Sequence, residues 1–132
     1  MATEIRPRLF LGDLADAASW DGLAITVLED RSPDLPPSVV HIPIYDPESG
    51  RARFEEVERV VALVSEELRS GRQSVLVSCG HGVERSPLAL AWYLYRVEGL
   101  SPPEAYDSIR ERRPEVQPRL EWLHGPGFPV WW

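Results

Sequence analysis

Short apolar runs, separated by prolines and glycines, dominate the first third of the chain. The runs at residues 24–28 and 39–42 are rich in β-branched residues and predict two buried strands. A shorter apolar run at residues 9–11 precedes a predicted short helix that begins near Asp13. Prolines follow both of the longer runs, so loops are predicted there, at residues 30–38 and 43–50.

The middle of the chain changes to a helical period. Apolar residues recur there at steps of three and four until Gly71, which predicts an amphipathic helix; they are Phe54, Val57, Val61, Val64 and Leu68. Residues 75–77 then predict a short strand. Residues 88–95 are apolar on most sides of a helix, so we expect this helix to be central and buried.

Helix-start signals recur in the last third of the chain. Ser86 and Pro87 suit the N-cap and the first position of the central helix. Residues 101–104, SPPE, form a capping box for the next helix, whose last turn carries favourable positive charge from Arg110, Arg112 and Arg113. A short final helix is expected at residues 119–123. Strands that alternate with helices predict an α/β fold, with a central, mostly parallel sheet flanked by helices.

Composition limits the partners and the compartment. The formal net charge is −7, and all 14 basic residues are Arg, which leaves no basic footprint for a nucleic acid. No stretch approaches the roughly 18 apolar residues of a membrane span, and the first residues lack the features of a signal peptide. We therefore expect a cytoplasmic protein without a membrane contact. The single cysteine, Cys79, excludes an internal disulfide and flags a nucleophile.

The chemistry is concentrated in residues 79–85, CGHGVER, between the predicted strand and the central helix; we name this segment the 79–85 loop. Such a unit gathers backbone N–H groups at a helix N-terminus, where the dipole favours an anion. Gly80 and Gly82 permit the backbone to curl, and Arg85 can hold two oxygens of a phosphate. The predicted phosphate-binding residues are Gly80, His81, Gly82, Val83, Glu84 and Arg85.

Cys79 lies at the floor of this predicted pocket. Helix N-termini and nearby cations lower the pKa of a thiol, and the resulting thiolate can attack phosphorus. The hydroxyl of Ser86 could donate a hydrogen bond to the departing thiolate. A lone cysteine after an apolar strand is often an inert core residue, and Arg85 could form a surface ion pair with Glu84. The glycines and the Cys–Arg spacing favour the catalytic interpretation.

The 79–85 loop with Ser86 resembles the C-x-x-G-x-x-R-S signature of protein tyrosine and dual-specificity phosphatases. The segments PRLFLGDLADA, VVHIPIYD and GLSPPEAYDSIRERRPEVQP resemble other parts of that family, so the likeness covers most of the chain. It implies one catalytic domain over residues 1–132, without a cofactor or metal. Low-molecular-weight phosphatases and rhodanese-like sulfurtransferases use similar loops, but they differ in the position of the acid or in loop length.

The resemblance assigns the role of general acid to Asp46, on a proline-flanked loop. The leaving oxygen needs a proton, and the attacking water must later lose one. An Asp before a Pro also often caps a turn, and Asp34 and Glu48 are substitutes for the role.

The sequence departs from the family pattern at several positions. Ser78 replaces the usual His before the nucleophile, and Glu84 adds a negative charge beside Arg85. His81 is expected to face outward. Gln117 either contacts the active-site loop or is an exposed amide. The aromatic tail, with Phe128, Trp131 and Trp132, is expected to pack on its own domain or to form a homodimer.

The predicted activity is hydrolysis of phosphotyrosine in a protein, and also of phosphoserine and phosphothreonine, through a phosphocysteine. Two alternatives remain open at this point. Ser78 and Glu84 could leave a catalytically dead module that only binds phosphate. The substrate could instead be a non-protein ester, such as a phosphoinositide or the 5′ end of RNA, although Glu84 disfavours such polyanions.

Overall fold

The computed structural model describes residues 1–132 as a central sheet with helices packed on both faces. The elements are β1 Thr3–Arg6, β2 Leu9–Gly12, α1 Leu14–Ala18, β3 Leu23–Thr26, β4 Val40–His41, β5 Tyr45–Asp46, β6 Arg51–Ala52, α2 Phe54–Ser70, β7 Val75–Ser78, α3 Arg85–Glu98, α4 Pro102–Arg112 and a final 3₁₀ helix at Leu120–His124. None of the helices combines the length and the apolar composition that crossing a bilayer requires.

The main sheet has the strand order β1-β2-β7-β3-β4. β7 lies at its centre and runs parallel to β2 and β3, β3 runs parallel to β4, and only β1 is antiparallel to its neighbour. The predicted α/β fold with a mostly parallel sheet is therefore confirmed. β1 was not predicted, because Ile5 is the one buried residue in an otherwise polar edge strand. β5 and β6 pair as a small hairpin that begins inside the predicted loop at residues 43–50.

Successive side chains of β7 point to opposite faces of the sheet and pack into a hydrophobic cluster on each face. Val75 and Val77 belong to the large core cluster with α2, α3 and α4, while Leu76 packs with Ala17 of α1 and Ala24 of β3 on the other face. α3 is buried over most of its length, as predicted. This packing fixes the end of β7 and the start of α3, and the 79–85 loop spans the gap between them.

The helix boundaries agree with most of the predicted signals. Gly71 ends α2 in the left-handed conformation, with φ of 73°, and Ser101 and Glu104 form the predicted capping box of α4. The predictions that Ser86 is the N-cap and Pro87 the first helical residue are wrong, because α3 begins two residues earlier, at Arg85, with Glu84 as N-cap. Ser86 is instead buried inside the first turn, where its hydroxyl contacts the sulfur of Cys79.

Candidate active site

The 79–85 loop forms most of the wall of a small cavity of about 90 Å³ at the carboxyl end of β7. The lining residues are Leu28, Cys79, Gly80, His81, Val83, Glu84 and Arg85. Five of the six predicted phosphate-binding residues therefore line one cavity together with Cys79. Gly82 does not line the cavity, and its role is in the shape of the loop.

Cys79 is 4% exposed, yet it lines this cavity. Its Sγ atom lies 3.1 Å from the hydroxyl oxygen of Ser86. Burial raises the pKa of the thiol, but hydrogen bonds from the Ser86 hydroxyl and from the backbone N–H groups of Ser86, Gly82 and Val83 outweigh it. The net result is a Cys79 pKa below the ordinary value of cysteine. The surroundings of Cys79 thus favour its thiolate form more than those of an ordinary cysteine do.

Gly82 shapes the turn of the loop. Its φ is 69°, and a Cβ atom there would lie 2.8 Å from the carbonyl oxygen of Gly12 and 2.8 Å from Nη2 of Arg113. A side chain would therefore add both strain and a clash. Gly80 does not have a positive φ, and a Cβ atom on it would meet open space. Of the two glycines expected to permit the curl, Gly82 adopts a conformation that favours glycine and Gly80 does not.

Arg113 holds the 79–85 loop from behind. Its guanidinium donates to the carbonyl oxygens of Gly82 at 3.0 Å and His81 at 3.2 Å, and also to Leu11 and Met1 at the start of the chain. The side chain is 5% exposed. The sequence pattern assigned Arg113 only to the helix dipole, because three nearby arginines in one helical turn look alike without a tertiary structure. The structure adds it to the site as a residue that supports the loop.

Gln117 also contacts the loop, through its backbone. Its N–H donates to the carbonyl oxygen of Val83 at 2.9 Å, while its exposed side chain accepts a hydrogen bond from Arg119. The side chain of Gln117 therefore follows the exposed-amide interpretation, and only its backbone contacts the loop.

Arg85 is engaged by a residue that the sequence analysis did not single out. Its Nε donates to a carboxylate oxygen of Glu29 at 2.7 Å, and its guanidinium carbon lies 4.9 Å from the centre of the Tyr45 ring. The suggested ion pair with Glu84 is absent, because Glu84 binds Nε of Arg119 at 2.9 Å. No local signal could reveal Glu29, since it precedes Arg85 by 56 residues.

Asp46 lies outside the Cys79 cavity. Its carboxylate accepts the N–H of Glu48 at 3.0 Å and lies 3.7 Å from Nη2 of Arg53, and it lines a separate cavity of about 420 Å³. The N–H of Glu48, chiefly, holds the pKa of Asp46 below its ordinary value. In this conformation Asp46 caps a turn, while the adjacent Tyr45 contacts Arg85. Asp34, one of the proposed substitutes, is exposed and does not line the Cys79 cavity.

The structure also shows the surroundings of Ser78 and His81, which were named above as differences from the family pattern. Ser78 is fully buried and donates to the carbonyl oxygen of Ile25 at 3.3 Å. His81 is exposed, as predicted. No group of three or more His, Cys, Asp or Glu side chains is arranged to hold a metal ion.

The aromatic tail folds back onto its own domain. The ring of Phe128 packs edge-on against Phe54 and Trp92, and the indole N–H of Trp131 donates to the carbonyl oxygen of Leu123. Trp132 remains 64% exposed. The first of the two expectations for the tail is therefore confirmed for Phe128 and Trp131, and a homodimer stays a prediction.

Comparison with known protein families identifies this constellation. The family model described as the dual specificity phosphatase catalytic domain matches residues 28–125, which include the 79–85 loop and Asp46. This chain belongs to the dual specificity phosphatase family. The resemblance seen in the 79–85 loop is thereby confirmed.

Individual relatives agree with this membership. The chain is 27% identical to tyrosine-protein phosphatase vhp-1 of Caenorhabditis elegans over 92% of its own length, and 30% identical to dual specificity protein phosphatase Mpk3 of Drosophila melanogaster over 87%. It spans only 20% and 30% of the lengths of those two proteins. The crystal structure of human dual specificity phosphatase 28 superposes with a TM-score of 0.70 and 27% identity, over 96% of this chain and 86% of that one.

Proposed function

We propose that this dual specificity phosphatase domain hydrolyses phosphate monoesters on proteins through a phosphocysteine, with phosphotyrosine as the first substrate and phosphoserine and phosphothreonine as others. The observation that carries the proposal is the position of Cys79. Its sulfur lies in the wall of a cavity of about 90 Å³, and hydrogen bonds from the Ser86 hydroxyl and the surrounding N–H groups lower its pKa.

In the first step the Cys79 thiolate attacks phosphorus. The new S–P bond forms as the P–O bond to the substrate breaks, and the leaving oxygen takes a proton from a general acid. The backbone N–H groups of the loop and the Arg85 guanidinium stabilise the charge on the equatorial oxygens. In the second step a water gives a proton to the same group and attacks phosphorus. The S–P bond then breaks, Ser86 donates a hydrogen bond to the departing thiolate, and inorganic phosphate is released.

Asp46 is the proposed acid and base. To act, it must leave the turn in which it accepts the Glu48 N–H and move toward the Cys79 cavity. Its position supports this proposal, because it lies at the start of the turn between β5 and β6, where residues 47–49 are exposed. Glu48 lies on the same loop and is the substitute to test beside it.

Hydrolysis by variants tests this mechanism. p-Nitrophenyl phosphate and a phosphotyrosine peptide are offered to the wild type and to Cys79→Ser, Arg85→Ala and Asp46→Asn, with a chelator present. We expect no turnover by the first two variants, and slower turnover by Asp46→Asn mainly on the peptide, whose leaving group is the more basic. Arg112→Ala, an exposed arginine, is the matched control and should keep wild-type rates.

Two outcomes would overturn the proposal. Binding of the phosphopeptide without release of phosphate would identify a binding module, an alternative that the Arg85–Glu29 pair and the outlying Asp46 favour. Faster turnover of a phosphoinositide or of an RNA 5′ phosphate than of phosphopeptides would identify a non-protein substrate. The cytoplasmic location stays a prediction.

A further inference from the structure

Glu29 occupies a donor that a bound phosphate would use. An arginine binds carboxylates and phosphates through the same fork of N–H groups, so the two anions compete for it. Nε of Arg85 is already bound to Glu29 at 2.7 Å. Both side chains are less than one third exposed. Arg85 lines the Cys79 cavity, and so does Leu28, the residue before Glu29. A phosphate that binds Arg85 through Nε must therefore displace Glu29.

Three further arginines of the neighbouring segments are also engaged. Arg119 pairs with Glu84, and Arg53 lies beside Asp46. Arg113 is buried and donates to backbone carbonyls. The chain contains no lysine. A second negative group on a substrate would therefore have to compete with an existing partner for any of these three arginines.

The loop that carries Glu29 is acidic as well. Asp30 and Asp34 are exposed on it, and neither forms an ion pair. The one cation of this loop, Arg31, donates to the carbonyl oxygens of Pro36 and Val39. The whole chain carries a net charge of −7, which attracts cationic partners and repels anionic ones.

We propose that Glu29 determines substrate specificity by selecting phosphate monoesters that carry a positive charge beside the phosphate, in proteins a phosphorylated residue flanked by Arg or Lys. This inference rests on the proposed function of the same site. When the phosphate takes Arg85, the displaced Glu29 carboxylate needs a new cation, and a basic flank supplies it. Acidic residues beside the phosphorylated residue would instead place negative charges close to the partly buried Glu29 carboxylate.

Binding without turnover tests the proposal. In a Cys79→Ser background, fluorescence anisotropy measures the Kd of one phosphotyrosine peptide with Arg flanks and of the same peptide with Glu flanks. We expect the Arg-flanked peptide to bind at least about tenfold more tightly, and this ratio to shrink in high salt. Adding Glu29→Gln should reduce the ratio to about threefold or less, mainly because the Glu-flanked peptide binds more tightly.

Glu98→Gln is the matched control. Glu98 accepts from Nε of Arg6 at 2.8 Å with a similar exposure, but it lies at the other end of α3. This variant should keep the parent ratio. An unchanged ratio of the two Kd values in Glu29→Gln would overturn the proposal. If both peptides also bound more weakly by the same factor, Glu29 would only support Arg85.

Hydrolysis, measured separately with intact Cys79, keeps the two proposals distinguishable. If the protein released no phosphate but still preferred the Arg-flanked peptide, only the proposed phosphatase activity would be contradicted. An active phosphatase without a charge preference would contradict the role of Glu29 alone.

Discussion

The sulfur of Cys79 and the hydroxyl of Ser86 lie 3.1 Å apart, both buried beneath the 79–85 loop. This contact explains why Ser86 does not cap α3, although its residue type is typical of an N-cap. The first helical turn instead presents both the Ser86 hydroxyl and its backbone N–H to the sulfur. A position that reads as a structural cap in the sequence therefore stabilises the nucleophile.

Replacing Ser86 by Ala should raise the pKa of Cys79, because a hydrogen bond to the thiolate is lost. The rate of alkylation by iodoacetate rises with pH as the thiol ionises. In the wild type we expect its midpoint below that of an ordinary cysteine, and in Ser86→Ala we expect a higher midpoint. Phosphate ester hydrolysis should slow on the order of tenfold or more.

Ser78→Ala is the control for this experiment. Ser78 is an equally buried hydroxyl next to Cys79, but it donates to the carbonyl oxygen of Ile25. Its loss should leave the alkylation midpoint in place. Equal midpoints for wild type and Ser86→Ala would show that the hydroxyl does not stabilise the thiolate.

Gly82 and Gly80 should respond differently to a methyl group. Gly82→Ala forces a side chain into a left-handed conformation against the Gly12 carbonyl, so we expect a loss of about 1–3 kcal/mol in the free energy of unfolding. Gly80→Ala meets open space and should lie within about 0.5 kcal/mol of wild type. Urea unfolding of both variants measures the difference, and equal losses would contradict the assignment of strain to Gly82.

Arg113 should matter far more than the arginine beside it. Arg113→Ala leaves the carbonyls of His81 and Gly82 without this donor, so we expect a destabilisation of about 3 kcal/mol and a disordered 79–85 loop. Arg112 is exposed, and Arg112→Ala should change stability by less than about 0.5 kcal/mol. Thermal unfolding compares the two variants. If Arg113→Ala kept the stability of the wild type, the loop would hold its shape without this support.

The pH profile of turnover should report Asp46. As the proton donor Asp46 must be protonated, so turnover of a substrate with a basic leaving group falls as pH rises through the Asp46 pKa. The Glu48 N–H chiefly, and also the positive charge of Arg53, lower that pKa. Arg53→Gln removes the cation, which raises the Asp46 pKa and moves the falling limb to higher pH.

Arg51→Gln is the control, because Arg51 donates to the carbonyl oxygen of His124 and not to Asp46. It should leave the limb in place, and Asp46→Asn should remove the limb. A limb that stays fixed in Arg53→Gln, or moves to lower pH, would point to another acid.

The aromatic tail should divide into a packed and a free part. Phe128→Ala removes a ring that packs on Phe54 and Trp92, and we expect a loss of about 2–3 kcal/mol. Trp132 is largely exposed, so Trp132→Ala should be nearly neutral for the monomer. Sedimentation at increasing concentration tests the predicted homodimer. If wild type and Trp132→Ala both remain monomeric, the tail serves only its own domain.

The phosphate loop could be predicted from the sequence because it is local. Cys79, Gly82 and Arg85 lie within seven consecutive residues, between an apolar run and a helical period, so chain connectivity alone brings them together. The same holds for Gly71 and Ser101, whose roles depend only on the backbone of the next few residues.

The tertiary structure decided everything that depends on packing between distant segments. Glu29 meets Arg85 because β3 and β7 are neighbours in the sheet, and Arg113 reaches the loop because α4 packs on α3. Asp46 lies within a matched family domain, yet the hairpin of β5 and β6 places its side chain outside the Cys79 cavity. Periodicity and spacing report which residues can share a face, but the partner of a charge is set by which elements the core brings together.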